Sequence, residues 1–458
     1  MSASKHNNPS TSFLALACVG AMTSVAMPAY AQDGDEDVTV LEGVTVTDTA
    51  DRDGYRADEI RSPKMTAPII DTPRTINVLT EEVIRDSASF SFEDALRNVP
   101  GITLGAGEGG VASADIPFIR GSDATSDVYV DGARDVGSQS RETFAVETIE
   151  VFKGPNSAFG GRGGAGGTIN IVTKTPKAEA FIRGDATVGT DDFYRVTADV
   201  NQPLNDSIAV RMAALYHDAE VAGRDAVFND KWGVAPSIAF GLDGDTQLSL
   251  SYYHLETEGL PDYGLPYYYR PAAGPVPANR YVFSDKDVDY DNFYGLKDRD
   301  FHDTNVDAAT LQFTHDFGTG WSLYSTLRYS NTEQDYIVTN PDDSKENVQN
   351  GLVWRGVKSR NSTNDSYVAN AGASGIFDLF GMTHSLSFGA EYSASDTTRY
   401  SYSVDTGSND CVGEVGAPNY NCTPLGNPNP DDPWNGSIAL NTAQPTVTHA
   451  ESIGFYAF

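Results

Sequence analysis

From about residue 180 onward, apolar and polar residues alternate with a period of two, the spacing that puts successive side chains on opposite faces of a strand. Ile208, Val210, Met212, Ala214 and Tyr216 share one face, and Ala209, Arg211 and Ala213 the other. Leu248, Leu250 and Tyr252 alternate with Gln247, Ser249 and Ser251. Trp321, Leu323, Leu327 and Tyr329 alternate with Ser322, Tyr324, Thr326 and Arg328, and Leu386, Phe388, Ala390 and Tyr392 with Ser385, Ser387, Gly389 and Glu391. An apolar face ending in aromatics, opposite a polar face, is expected of strands that cross a bilayer. A soluble β-sandwich shares the period, so loop lengths must decide.

Ten strands are predicted, near 180–190, 192–201, 207–221, 230–241, 245–258, 304–316, 320–338, 352–377, 382–398 and 445–458. Gln202–Asp206, Leu242–Gly244, Phe317–Thr319 and Asp378–Gly381 read as tight turns, whereas 259–303, 339–351 and 399–444 are long. Short turns at one end and long loops at the other suit an outer-membrane barrel, and a sandwich has no reason to sort its connections this way. Residues 60–178 follow a different pattern. Ser91 to Gly101 reads as a short helix stopped by Pro100-Gly101. Phe118–Arg120, Val128–Val130, Ile149–Val151 and Thr168–Val172 read as short strands, so this part is expected to be an α+β domain.

Composition narrows the class. Against 31 Lys and Arg stand 64 Asp and Glu, a net charge of −33, which disfavours nucleic acid as a partner. Abundant Tyr (23) and Phe (21) argue against a disordered chain. Only one stretch, Ser12 to Pro28, approaches the length of a spanning helix. Followed by Ala29-Tyr30-Ala31, it reads as a cleaved signal peptide, residues 1–31, that exports the chain. Cys411 and Cys422 then remain, and an oxidising compartment suggests a disulfide between them. His217, His254, His302, His315 and His384 are scattered singly, so no protein metal site is expected. No Gly-x-Ser-x-Gly elbow and no Gly-Lys-Ser/Thr phosphate loop occurs, and an enzyme is not expected.

Geometry bears on completeness. Strands about 4.8 Å apart and tilted about 40° give a radius of roughly 10 Å for ten strands and roughly 22 Å for twenty-two. The α+β domain needs a radius of roughly 18 Å. If it is nested, this chain carries about half of a barrel.

Five motifs in series then carry a family resemblance. They are Leu96-Arg97-Asn98-Val99-Pro100-Gly101-Ile102, Ile119-Arg120-Gly121, Val130-Asp131-Gly132, Val151-Phe152-Lys153-Gly154-Pro155 and Gly166-Gly167-Thr168-Ile169-Asn170. Preceded by Thr72-Pro73-Arg74-Thr75-Ile76-Asn77-Val78-Leu79-Thr80, they resemble the plug of the TonB-dependent outer-membrane receptors. Gly107-Glu108-Gly109-Gly110 and Asp131 to Gly137 bring the chain nearest to the catecholate siderophore receptors. The resemblance implies a membrane all-β fold, with an α+β plug at 60–178 and a wall at 179–458 that supplies about ten of twenty-two antiparallel barrel strands.

It also implies function. A TonB box is expected at Gly43, Val44, Thr45, Val46 and Thr47, within a periplasmic segment at 32–59. Expected plug–wall locking residues are Arg120, Glu150, Lys153 and Arg162, with Arg120 and Lys153 paired to wall acids expected in the half of the barrel that this chain lacks. Expected ligand contacts are Glu108, Ser113, Arg134, Ser138, Gln139 and Arg141 at the plug apices, and Tyr263, Tyr267, Tyr268 and Arg270 in a barrel loop. A ferric catecholate is an anion with aromatic rims, which Arg and Tyr suit. Iron would travel inside the siderophore, with no cofactor held by protein ligands. The expected partners are TonB with its inner-membrane proton-driven motor, the ferric siderophore, and outer-membrane lipid and lipopolysaccharide, around a monomer. Import of cobalamin, an oligosaccharide or haem is the alternative, followed by a passive porin or a surface-docking protein.

Overall fold

The computed structural model describes residues 54–458 apart from 58, 106–113, 157–163, 267–268, 271–279, 282–287, 343 and 414–419. The signal peptide, the expected TonB box, Glu108, Ser113, Arg162, Tyr267 and Tyr268 lie outside the described residues.

Ser91 starts the expected helix, Phe92–Arg97. Its hydroxyl accepts from the Asp94 amide at 3.1 Å while the Asp94 carboxylate accepts from the Ser91 amide at 3.2 Å, a reciprocal cap that satisfies two otherwise unpaired donors. A second helix, Glu81–Asp86, is capped by Thr80; six residues are too few to show a helical period, and the sequence reading missed it. Around these helices run β1 (Thr75–Thr80), β2 (Ile102–Leu104), β3 (Pro117–Ile119), β4 (Ser122–Asp123), β5 (Val128–Val130), β6 (Ala133–Arg134), β7 (Val146–Lys153) and β8 (Gly167–Thr173). Five of them form a sheet in the order β1-β7-β8-β5-β6, with β5 and β8 parallel. Leu79, Ile84, Phe92, Leu96, Ile119, Ile149, Val151 and Ile169 close one apolar core between sheet and helices. Asp131-Gly132 makes the two-residue turn of the β5–β6 hairpin with φ of 51° and 74°, the left-handed pair such a turn demands.

The wall follows as β9 (Phe181–Val188), β10 (Tyr194–Pro203), β11 (Ile208–Asp218), β12 (Asn229–Phe240) and β13 (Thr246–Gly259). After the short pair β14 (Tyr269–Arg270) and β15 (Arg280–Tyr281) come β16 (Phe301–Asp316), β17 (Trp321–Asp342), β18 (Leu352–Leu379) and β19 (Met382–Tyr400). The short strands β20 (Tyr402–Val404), β21 (Cys422–Pro424) and β22 (Ile438–Leu440) precede β23 (Thr446–Ala457). The ten wall strands pair antiparallel with their sequence neighbours, from β9 at one edge to β23 at the other, in an open sheet. All ten predicted strands are present and the four tight turns fall at one end. β17 and β18, at 22 and 28 residues, exceed the roughly 9–11 needed to cross hydrocarbon and project beyond it at the long-loop end.

Burial in the wall is inverted relative to the plug. On β11 the side chains of Ala209, Arg211, Ala213, Leu215 and His217 are buried, while Tyr216 is exposed. Leu250, Leu327, Tyr252, Tyr329, Tyr367, Phe388 and Ile453 are exposed, and Asp199, Asn201, Arg211, Arg328, Ser330, Thr332 and Gln334 are buried. A soluble sandwich would place these sets the other way round; a bilayer-facing wall requires this arrangement. Tyr329 and Tyr367 stand opposite each other with ring centroids 4.9 Å apart, part of the aromatic belt at the long-loop edge of the apolar band.

Candidate functional site

The plug is fastened to the concave face of the wall by ion pairs that do not use the expected locking residues. Most of these pairs set plug acids against wall cations, while Lys174 at the end of the plug pairs with Asp199 of β10 at 3.0 Å. Glu142 accepts from Arg195 of β10 at 2.8 Å and from Lys231 of β12 at 2.6 Å. Glu147 accepts from Arg211 of β11 at 2.9 Å, and Arg211 also binds Asp199 of β10 at 2.6 Å. Asp135 accepts from Arg328 of β17 at 3.2 Å. Buried charges of one sign need the other nearby, and the wall supplies it. Burial alone would raise the carboxyls of Glu142, Glu147 and Asp135, but their cationic partners more than offset it and hold all three below their ordinary values.

The expected locking residues do other work. Arg120 is exposed, adopts a φ of 50°, and shares the β3–β4 turn with Gly121. Lys153 donates to the Pro100 carbonyl at 2.5 Å, with Arg120 as a neighbouring like charge. Among the described residues neither pairs with a wall acid. Glu150 is fully buried inside the plug and accepts from the Asn170 amide at 2.9 Å and the Arg61 backbone N–H at 2.5 Å.

Two of the expected apex ligands are likewise buried. Arg141 bridges Asp115 at 2.9 Å and Asp135 at 2.8 Å, and Gln139 donates to Asp135 at 3.0 Å. With Arg328 they form one chain of charge from plug to wall, unavailable to a ligand in this arrangement. One guanidinium serving two carboxylates leaves the more enclosed one underpaired, and burial pushes Asp115 up to about 7. Arg134 donates to the Ser126 carbonyl at 2.7 Å and Ser138 is half-buried beside it in sequence. Tyr263 is half-buried, and Arg270 pairs through its backbone with Arg280.

What the structure brings together instead is a cluster on the inner wall above the plug crown. The β5–β6 turn is tied to the wall, with Thr326 donating to the Asp131 carbonyl at 3.2 Å and Asn370 to the Gly132 carbonyl at 2.9 Å. Farther up, Gly137 lies against Thr332 and Asn364. The next inward rows are Thr304-Gln334-Ser362-Arg399 and then His302-Tyr336-Arg360, each set in register across adjacent strands. Tyr336 and His302 have ring centroids 6.0 Å apart, and Arg360, Arg399 and Tyr263 are the charged or phenolic groups acting on the Tyr336 hydroxyl. That hydroxyl is buried and has no hydrogen-bond partner. Among the described residues neither Arg360 nor Arg399 has an ion-pair or hydrogen-bond partner. Two unneutralised guanidiniums, two phenols and an imidazole facing one lumen suit an anionic, aromatic ligand. The sequence reading missed this group because strand register, not spacing, assembles it.

Above it, three long connections join in one cap. Arg355 is fully buried, donating to the Tyr294 carbonyl at 2.8 Å, the Asn429 carbonyl at 2.6 Å and Asp432 at 2.8 Å. The expected Cys411–Cys422 disulfide is present there. Among the described residues no His, Cys, Asp and Glu group could hold a metal ion.

Comparison with known proteins agrees with this architecture. Residues 68–168 match the TonB-dependent Receptor Plug Domain family. The probable TonB-dependent siderophore receptor PiuA of Acinetobacter baumannii is 37% identical over 389 residues, covering 85% of this chain and 51% of PiuA. The catecholate siderophore receptor Fiu of Escherichia coli K12 is 36% identical over 407 residues, covering 85% and 52%. The crystal structure of PiuA superposes with a TM-score of 0.79 at 36% identity, over 88% of this chain and 57% of that one. The chain spans about half the length of the curated relatives it matches.

Proposed function

Proceeding from a chain that is a homologue of the TonB-dependent siderophore receptors, with their plug and antiparallel wall, we propose that it serves the active import of a ferric siderophore of the catecholate class across the bacterial outer membrane. The observation that carries this reading is the inner-wall cluster of Tyr336, His302, Arg360 and Arg399, with Tyr263 beside it. A ferric catecholate presents delocalised negative charge and flat aromatic rims. Guanidiniums answer the charge, and phenol and imidazole rings answer the rims through stacking and edge contacts. Fiu, a catecholate receptor by name, supports the same class.

Import follows in order. The ligand settles above the plug crown, TonB engages the segment at Gly43–Thr47 from the periplasm, and the proton gradient supplies the work. The Gly43–Thr47 segment has the alternating β-branched pattern that can add a strand to a partner's sheet edge. Iron stays within the siderophore as cargo. The aromatic belt and apolar outer face would sit in outer-membrane lipid and lipopolysaccharide.

A tryptophan-fluorescence titration in detergent with ferric catecholate, ferric hydroxamate and cobalamin tests the substrate class. Saturable quenching by ferric catecholate alone is expected, and flat catecholate curves would remove that substrate. Deleting residues 41–47 should abolish energised uptake while leaving binding intact; uptake that survives the deletion would overturn the TonB step.

A further inference from the structure

Between the expected TonB box and β1 of the plug runs a short strap, residues 61–66, that bridges plug and wall outside the lock described above. At its start the Arg61 N–H donates to Glu150 of the plug sheet at 2.5 Å. Its other contacts reach the wall. The Pro63 carbonyl accepts from Ser374 of β18 at 2.8 Å, and the Thr66 hydroxyl is hydrogen-bonded to that of Ser385 on β19. Between these, Lys64 is 3% exposed. Its ammonium lies 4.4 Å from the centroid of the Tyr456 ring on β23, and Glu391 of β19 is the charge acting on it.

The wall is shaped for this contact. Tyr456 and Tyr324 lie flat because glycines stand beneath them: a Cβ at Gly389 would overlap the Tyr456 hydroxyl, and one at Gly372 the Tyr324 hydroxyl. The two phenols hydrogen-bond each other at 2.9 Å, which fixes both rings. Glu391 is 3% exposed beside them. A buried aromatic face with one buried carboxylate is a seat for a single cation, and Lys64 fills it.

We propose that Lys64 and its seat on β19 and β23 form the catch that holds the leading strap of the plug to the wall, and that force applied from the N-terminal side must open this catch before it can strip β1 from the plug sheet. The proposal rests on the energised-import reading, since it assigns a wall contact that import must break. β1, the next strand along the chain, is paired along its whole length with β7 in the plug sheet. A pull that leaves the strap seated is therefore shared between the wall and the plug bonds of Gly54 and Arg61, and one that frees it loads the edge of β1. Lys64 acts as a positioning residue, because it touches the wall and not the ligand.

The test joins strap to wall covalently in the intact receptor. Thr66→Cys with Ser385→Cys, oxidised, should bind ferric dihydroxybenzoate with unchanged Kd while uptake of that complex falls to background, and either single substitution should transport normally. Normal transport by the cross-linked receptor would overturn the catch. A second measurement does not depend on transport. Lys64→Met should speed amide hydrogen exchange in residues 61–66 without changing it in the helix Phe92–Arg97, and the exchanged pair Lys64→Glu with Glu391→Lys should restore slow exchange. Unchanged strap exchange in Lys64→Met would also overturn the proposal. If the unaltered receptor binds the complex but shows no energised uptake, the import reading fails, while the exchange result still decides the catch.

Discussion

The plug and the wall are one continuous chain folded by opposite rules. In the plug, Leu96, Ile119 and Ile149 are buried together, because burying apolar area from water is the driving force. In the wall, Leu250 and Leu327 face outward and Arg211, Asp199 and Gln334 are buried. The wall's inner surface is therefore a store of buried charge that must be neutralised by whatever occupies the lumen. The plug supplies acids to much of that store, whereas Arg360 and Arg399, which are not buried, have no such acid among the described residues.

Removing one member of the buried charge system should break this arrangement most. Glu142→Met would leave Arg195 and Lys231 facing each other without their carboxylate, and breaking a buried pair from one side costs about 3–5 kcal/mol. Denaturant unfolding of the purified receptor checks the loss, and an unchanged midpoint would mean that the pairs do not hold the plug. Leu96→Ala, at a fully buried plug position, should cost about 2–5 kcal/mol, the usual cost of a core cavity. The mirror-image change on the wall is Leu250→Arg, at an exposed outward position. It should cost about 2–4 kcal/mol in lipid, depending on depth, yet be well tolerated if the outer face met water. Comparing stability in vesicles for the two variants separates the two rules.

Acid should give the smallest and most graded effect. Asp135, Glu142 and Glu147 have folded values below their ordinary 3.8 and 4.5. Their contribution is complete above that ordinary range and is lost as pH falls through the lower folded values. Asp115 has the opposite sign: raised to about 7, its contribution is present below the ordinary carboxylate value and is lost as pH rises through 7. Plug protection in hydrogen exchange should therefore fall modestly between about pH 4 and 7, and collapse only in stronger acid. Asp115→Asn should remove the first change and leave the second.

Period and turn chemistry made much of this legible in the sequence. All ten wall strands, the Asp131-Gly132 hairpin, the Ser91 helix and the Cys411–Cys422 bridge follow from local signals. The lock did not, because Glu142 meets Lys231, and Asp135 meets Arg328, across distances in sequence that no spacing encodes. The described lock uses other residues than expected: Arg120 lies in the β3–β4 turn and Lys153 donates to a plug carbonyl. Gln139 and Arg141 looked like ligand groups because Arg suits an anionic ligand and Gln139 lies between two cations, but Asp135 draws both inward. Register alone assembles Tyr336, Arg360 and Arg399.

The most direct measurement is equilibrium binding of ferric catecholate to the receptor carrying Arg360→Gln and Arg399→Gln, against the unaltered protein. A hydrogen bond to a charged group is worth about 1.5–3 kcal/mol, so each substitution should weaken binding by roughly tenfold to a hundredfold, with plug stability unchanged. An unaltered Kd in the double variant would contradict the assignment of the unpaired inner-wall arginines to the ligand.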